Sequence, residues 1–344
     1  MDFNQIMQEI TSGLTGDYKQ DVAYLKEQME RYKNHEYGQE ILRACGRLIY
    51  SILPEELKNK FNQVAENEDM GIQATLDEVG YCIYKKDFDK ALKLMEALVS
   101  KIDEAHKGGL FQDDAVSTYR NFDEVFEEIL YRHLNETGKE VRRCPMPFHV
   151  VYARYGSLLF EMKRFDEAEK ALITALRWNP VYTDALFERA ECHKATGDLQ
   201  GFFDQTVEAF KYAFKPKTMA RYFRNLGYYF IEKELWDEAV ACYVASMGYE
   251  KDALNAQSEM YYIQHKAGRQ IQPPSQEAFE SYGKKYGFPV HPSEDVLGLS
   301  YSYGKHFAEQ GNGEAARYFW TIFYELTGDR EIKALIDRIP ENKE

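Results

Sequence analysis

The chain has 344 residues, 44% of them apolar and 15% aromatic, with a formal net charge of −14. That acidity repels phosphate backbones and anionic bilayers, no Lys/Arg run exceeds two residues, and no stretch reaches the roughly eighteen consecutive apolar residues of a membrane span. Nucleic-acid and membrane partners are therefore not expected. Five scattered cysteines without a C-x-x-C, behind an N-terminus with no signal-peptide pattern, point to reduced thiols and a cytoplasmic setting.

In chain order, residues 17–69 predict three helices. "DYKQDVAYLKEQMERYK" is amphipathic and "GQEILRACGRLIYSIL" more apolar; Pro54 opens "PEELKNKFNQVAENED" in the first-turn place proline favours. A DNA-reading helix pair is a poor account of them, because the recognition helix would be acidic. "LDEVGYCIYKKDFDKALKLMEAL" predicts a helical hairpin, with Leu76, Val79, Gly80 and Ile83 facing Ala91 and Met95 after a short turn. Residues 112–136 predict one long helix burying Phe122, Val125, Phe126, Ile129 and Leu130, and "RRCPMPFH" at 142–149 a break.

The next stretch is the most regular. Tyr152, Tyr155, Gly156 and Leu159 share one helix face, a turn follows at "KRFD", and Ala168, Leu172 and Ala175 line a second helix that Asn179–Pro180 stops. Gly156 inside a helix costs about 1 kcal/mol against Ala, which close approach of a neighbouring helix would offset. Phe223, Leu226, Gly227, Phe230, Ala239, Tyr243 and Ser246 repeat this spacing without a gap, with Lys251 in place of the terminal proline. Between the two copies, Leu186, Arg189, Ala190 and His193 take the first-helix positions, but Phe202 stands where a small alanine belongs. Residues 252–287 predict a helix pair interrupted by Pro273–Pro274. Ser300, Tyr303, Gly304, Phe307, Ala316, Trp320 and Phe323 restate the pattern once more.

These hairpins of about 34 residues resemble the tetratricopeptide repeat. The resemblance implies an all-α, right-handed α-α superhelix (solenoid) with a helical N-terminal cap. The corresponding divisions are a cap at 1–70, degenerate repeats with one long helix at 71–148, core repeats at 149–251, and degenerate C-terminal repeats with a cap at 252–344. Sizes recur while identities drift because each hairpin need only bury its face on the next.

Signatures of chemistry are missing: there is no Gly-x-Ser-x-Gly, phosphate loop or HExxH. "GNGEAA" at 311–316 reads as an inter-helix turn. Cys144 and His149 are an incomplete ligand pair, and Asp166-Glu167 and Asp237-Glu238 sit where acids complement a helix dipole. Neither an enzyme nor a bound metal or cofactor is expected.

In tetratricopeptide arrays the first helices line a concave groove that takes peptides or chain ends. Carried over, the resemblance places Ala153, Ser157 and Phe160 on that wall, then Phe187, Glu191 and Lys194, then Arg221, Arg224, Asn225 and Tyr228. Arg221 and Arg224, one turn apart, suggest a ligand carboxylate or other anionic group, with Tyr228 and Phe187 as apolar walls. The function expected is a non-catalytic protein- or peptide-binding scaffold. The alternative is a peptide-sensing regulator whose N-terminal helices engage an effector. The aromatic run Tyr318-Phe319-Trp320 suggests an outer face that a homodimer would cover.

Overall fold

The computed structural model describes residues 2–135, 138–250 and 254–340, the side chains of 59–70 apart. Apart from one small sheet, its regular elements are α-helices. They fall into two compact units, Met1–Asn121 with Thr137–Val151 and Phe122–Glu136 with Tyr152–Glu344.

The first unit holds α1 (Phe3–Ser12), α2 (Tyr18–Tyr32), α3 (Gly38–Ile52), α4 (Glu55–Tyr84), α5 (Phe88–Lys107), β1 (Ser117–Arg120) and β2 (Glu140–Arg143). Helix α1 lies before the first predicted helix, and a capping box marks it. Asp2 Oδ1 accepts from the Gln5 amide at 2.8 Å, while Gln5 Oε1 accepts from the Asp2 amide at 3.1 Å. Phe3, Ile6 and Ile10 then pack with Leu25, Ile41 and Cys45. Pro54 stands at the N-cap of α4, and that helix continues to Tyr84. The third predicted helix and the start of the following hairpin are thus one element. Its packing corrects the spacing read there: Ile72, Val79 and Cys82 are buried, as are Ala91 and Met95 on α5, but Gly80 is exposed with nothing within 4 Å of where a Cβ would stand.

The long helix expected over 112–136 does not form. Asp113 and Asp114 offer acceptors that compete with the helical ladder. Asp114 Oδ1 takes the Ser117 amide at 2.7 Å, the Val116 amide at 3.0 Å and the Ser117 hydroxyl at 2.9 Å, while Asp113 takes the Tyr119 amide at 2.8 Å. The chain is extended here and pairs with β2 in parallel, Ser117 opposite Glu140 and Arg120 opposite Arg143. Only α6 (Val125–Leu134) is helical, with Phe126 and Leu130 buried and Val125 exposed.

The second unit continues with α7 (Phe148–Glu161, which begins in the first unit), α8 (Phe165–Trp178), α9 (Thr183–Ala195), α10 (Leu199–Phe210), α11 (Pro216–Glu232) and α12 (Trp236–Tyr249). It ends with α13 (Leu254–Ala267), α14 (Gln276–Tyr286), α15 (Glu294–Glu309), α16 (Gly313–Thr327) and α17 (Arg330–Arg338). Helices α8 to α13 each pack on the next. The helix pair expected over 252–287 is present as α13 and α14, whereas Lys251 lies outside the described residues.

Two features recur with the hairpins. A Cβ on Gly156 would meet Leu172 Cγ at 2.7 Å, on Gly227 the Tyr243 ring at 2.6 Å, and on Gly304 the Trp320 ring at 2.3 Å. Ala168, Ala175, Ala239, Ser246 and Ala316 on the second helices are fully buried. Seven residues after each glycine the chain turns through the left-handed region, at Lys163 (φ 60°), Glu234 (φ 58°) and Gly311 (φ 75°); Gly197 (φ 81°) does the same between α9 and α10. Each turn closes as a Schellman motif: the amides of Arg164, Asp198, Leu235 and Asn312 each donate, at 2.9 Å, to the carbonyl five residues back.

The run Tyr318-Phe319-Trp320 does not form an outer apolar face. Phe319 packs on Phe126 and Tyr303, Trp320 covers Gly304, and the Tyr318 hydroxyl donates to Glu124 at 3.1 Å. The aromatic surface on which a homodimer was expected is spent within the unit.

Candidate ligand-binding face

The expected wall residues lie on α7, α9 and α11, and the side chains of α9 and α11 meet. Lys194 places its ammonium 4.9 Å from the Tyr228 ring centroid and 5.4 Å from that of Phe202, and it also pairs with Glu191. The Arg221 guanidinium lies 4.9 Å from the Phe187 ring centroid and donates to Glu188 at 2.9 Å. Arg224 donates to Glu250 at 2.7 Å. Tyr228 is half-buried; burial and the neighbouring Glu232 carboxylate raise its phenol pKa.

Phe187 and Asn225 are closed off. Phe187 is 1% exposed beneath Arg221, so it is a floor and not an open wall. Asn225 is 8% exposed and donates to the Thr206 hydroxyl at 3.3 Å, its amide used between helices. On α7, Ser157 donates to the Ala153 carbonyl at 3.1 Å and the Phe160 ring stands 5.3 Å from Phe165. Ala153 is buried.

The three cations of this face are thus each neutralised by an acid. The expectation of an anionic ligand group depended on free guanidinium groups at Arg221 and Arg224. An incoming carboxylate would have to displace Glu188 or Glu250 and leave it without its partner. A two-residue reading of Arg221 and Arg224 could not supply those acids, which lie 33 residues before the first and 26 after the second.

His193, in a first-helix position of the repeat, pairs with Asp198 at 2.8 Å and approaches Glu169 at 3.7 Å, tying the end of α9 to α10 and α8. Cys144 is buried, which pushes its thiol up to about 12. Among the described residues no group of three or more His, Cys, Asp or Glu is placed to hold a metal ion. No described helix is long and apolar enough to cross a membrane.

Glycine contact, small partner and left-handed turn recur together at Gly156, Gly227 and Gly304. The hairpins are tetratricopeptide-like. No family model matches the chain, and no curated protein is similar to it. Solved structures similar to it include a tetratricopeptide repeat protein from Parabacteroides merdae, 12% identical over 97% of both chains with a TM-score of 0.37. Another is YrrB, described as a tetratricopeptide protein with an unusual peptide-binding site, 12% identical over 62% of this chain and 98% of that one, with a TM-score of 0.30. The anaphase-promoting-complex assembly Cut9–Hcn1 is 10% identical over 99% of this chain and 56% of that one, also with a TM-score of 0.30. The tetratricopeptide-like hairpins of the second unit present α9 and α11 as the face on which Lys194, Arg221, Arg224 and Tyr228 stand.

Proposed function

We propose that the chain is a non-catalytic scaffold that binds a protein or peptide on the first-helix face of its second unit, with Lys194, Arg221, Arg224, Glu191 and Tyr228 as contact residues and Ser157 and Phe160 extending the face along α7. The observation that supports this reading most is the Lys194 ammonium seated over the half-buried Tyr228 ring and the fully buried Phe202 ring. It makes a preformed amphipathic contact point, apolar at its base and charged at its rim, of the sort interface anchors use. The paired charges there give an approaching backbone both donors and acceptors without favouring one net charge.

The test is selection from a random-peptide display library on the full chain, followed by rebinding to a Lys194→Ala, Tyr228→Ala double variant whose melting temperature has been matched to the parent. Selected peptides are expected to weaken at least about tenfold, since hot-spot truncations cost 1–2 kcal/mol or more. A selection yielding no binder, or binders indifferent to the variant, would refute the reading.

The alternative, in which the N-terminal helices engage an effector while the repeats sense a peptide, is favoured by one observation: α1, α2 and α3 carry their own apolar core inside a separate compact unit. If it holds, a selected peptide should alter hydrogen exchange in residues 2–52. Unchanged exchange there would leave the plain scaffold.

A further inference from the structure

A second recess of the same unit is built from elements far apart in sequence. The segment from Phe214 into the start of α11, the end of α12, Glu124 before α6 and one face of α16 line an open cleft of about 790 Å³. That volume suits a small organic ligand, for which pockets of about 300–1,000 Å³ are usual. Its apolar surface comes from Phe214, Tyr249, Tyr318 and Ile322.

The charges at its rim divide into engaged and unengaged. Glu124 is held by Lys215 and by the Tyr318 hydroxyl, Glu250 by Arg224, and Arg317 donates to the Ile339 carbonyl. Lys217 on α11 and Glu314 and Glu325 on α16 line the cleft, are exposed, and have no ion-pair partner among the described residues. One wall therefore offers a free ammonium, while the α16 wall carries two free carboxylates and the Arg317 cation, whose carbonyl partner is neutral, and is net negative by one, across an aromatic and aliphatic floor. A purely cationic or purely anionic ligand would complement one wall and meet like charge on the other. A molecule with an apolar body and opposite charges at its two ends complements both.

We infer that this cleft binds a short apolar peptide with both termini free, its α-carboxylate toward Lys217 and its α-ammonium toward one of Glu314 and Glu325, which stand three turns, about 16 Å, apart on α16. The size of the recess favours a peptide over a single amino acid. This site borders the first-helix face proposed above through Glu250, the partner of Arg224, but it uses neither Lys194 nor Tyr228 and does not depend on that proposal.

The probe is the tripeptide Leu-Phe-Leu, measured by calorimetry with the full chain and compared with its N-acetylated form, its C-terminal amide and free leucine. Each cap removes one terminal charge and is expected to weaken binding about two- to five-fold, the range exposed ion pairs span. In a Glu314→Gln, Glu325→Gln chain acetylation should lose its effect, and in Lys217→Gln amidation should lose its effect; all three are surface positions whose replacement leaves the fold in place. The Lys194→Ala, Tyr228→Ala chain should bind the tripeptide as the parent does. The inference is overturned if no form binds at millimolar concentration, if capped and free peptides bind alike, if leucine binds as tightly as the tripeptide, or if the variants leave the cap effects intact.

Discussion

Gly227 of α11 lies so close to Tyr243 of α12 that a Cβ at position 227 would stand 2.6 Å from the ring. The glycine is a packing residue, and its lost helix propensity is the cost of bringing the two helices together. Gly227→Ala gains about 1 kcal/mol of propensity but forces a buried ring aside, an overpacking cost of about 1–3 kcal/mol or more. A net loss is expected in urea denaturation, reversed in part by adding Tyr243→Leu. Gly80→Ala, with open space around it, should instead stabilise by up to about 1 kcal/mol. Equal responses at 80 and 227 would contradict the contact.

The turn residues make an independent test. Lys163 and Glu234 hold φ near +60° in the turns that Gly197 and Gly311 make with glycine, a conformation costing an L-residue about 1–2 kcal/mol. Lys163→Gly and Glu234→Gly should each raise stability by some fraction of that, the greater flexibility of the unfolded chain offsetting the remainder. Lower denaturation midpoints for both would show the strain to be absent.

Asn179, fully buried, donates through Nδ2 to Glu127 Oε2 at 3.1 Å and accepts from the Val181 amide at 3.2 Å. Asn179→Asp sets a second carboxylate against Glu127, and a loss of about 3–5 kcal/mol at pH 7 is expected, as for an uncompensated buried charge. The loss should shrink at pH 5, because one of the two acids can then take up a proton. A pH-independent penalty would argue against carboxylate repulsion.

Asp114 is expected to contribute to the acid limb of the first unit, alongside Asp21 and Asp113, whose carboxyls are also held low. Burial raises its pKa, but the Ser117 hydroxyl and amide, the Val116 amide and Arg47 outweigh it and hold the carboxyl below its usual range. A depressed folded value contributes stability above the unfolded pKa of about 3.9, lost as pH falls through the lower folded value. Asp114→Asn should flatten stability against pH below about 4. Asp114→Ala, leaving Arg47 without its buried partner, should cost about 3–5 kcal/mol at pH 7. An unchanged acid limb in Asp114→Asn would assign that limb to other carboxylates.

Helix α16 rests on its cap. Asn312 Oδ1 accepts from the Ala315 amide at 3.1 Å, so Asn312→Ala should lower stability by about 1 kcal/mol and Asn312→Asp by little. Thermal melts of the two variants decide it.

The repeat was legible because stacking needs fixed sizes at fixed distances: the glycine, the small residue twelve positions on and the bulk around them can be counted along the chain. Gly80 shows the limit of counting. Its spacing matches, yet α4 presents Val79 and Cys82 to α5 and turns Gly80 to solvent, since amphipathic spacing does not set which of two adjacent stripes meets the neighbour. The helix expected over 112–136 failed for a related reason: periodicity sees apolar side chains, but Asp113 and Asp114 redirect the backbone by hydrogen bonding. Helix α1 could have been found from Asp2 and Gln5.

Local order along the chain determined the helical class, the hairpins and the stretch where repeats are strongest, because helix periodicity and turn stops depend on near neighbours. Only the tertiary structure decided the state of the candidate face. Whether Arg221 and Arg224 are free charges depends on Glu188 and Glu250, and whether Lys217 is free depends on every acid the fold brings near it. Coulomb attraction acts across space, and distance along the chain does not report distance between charges.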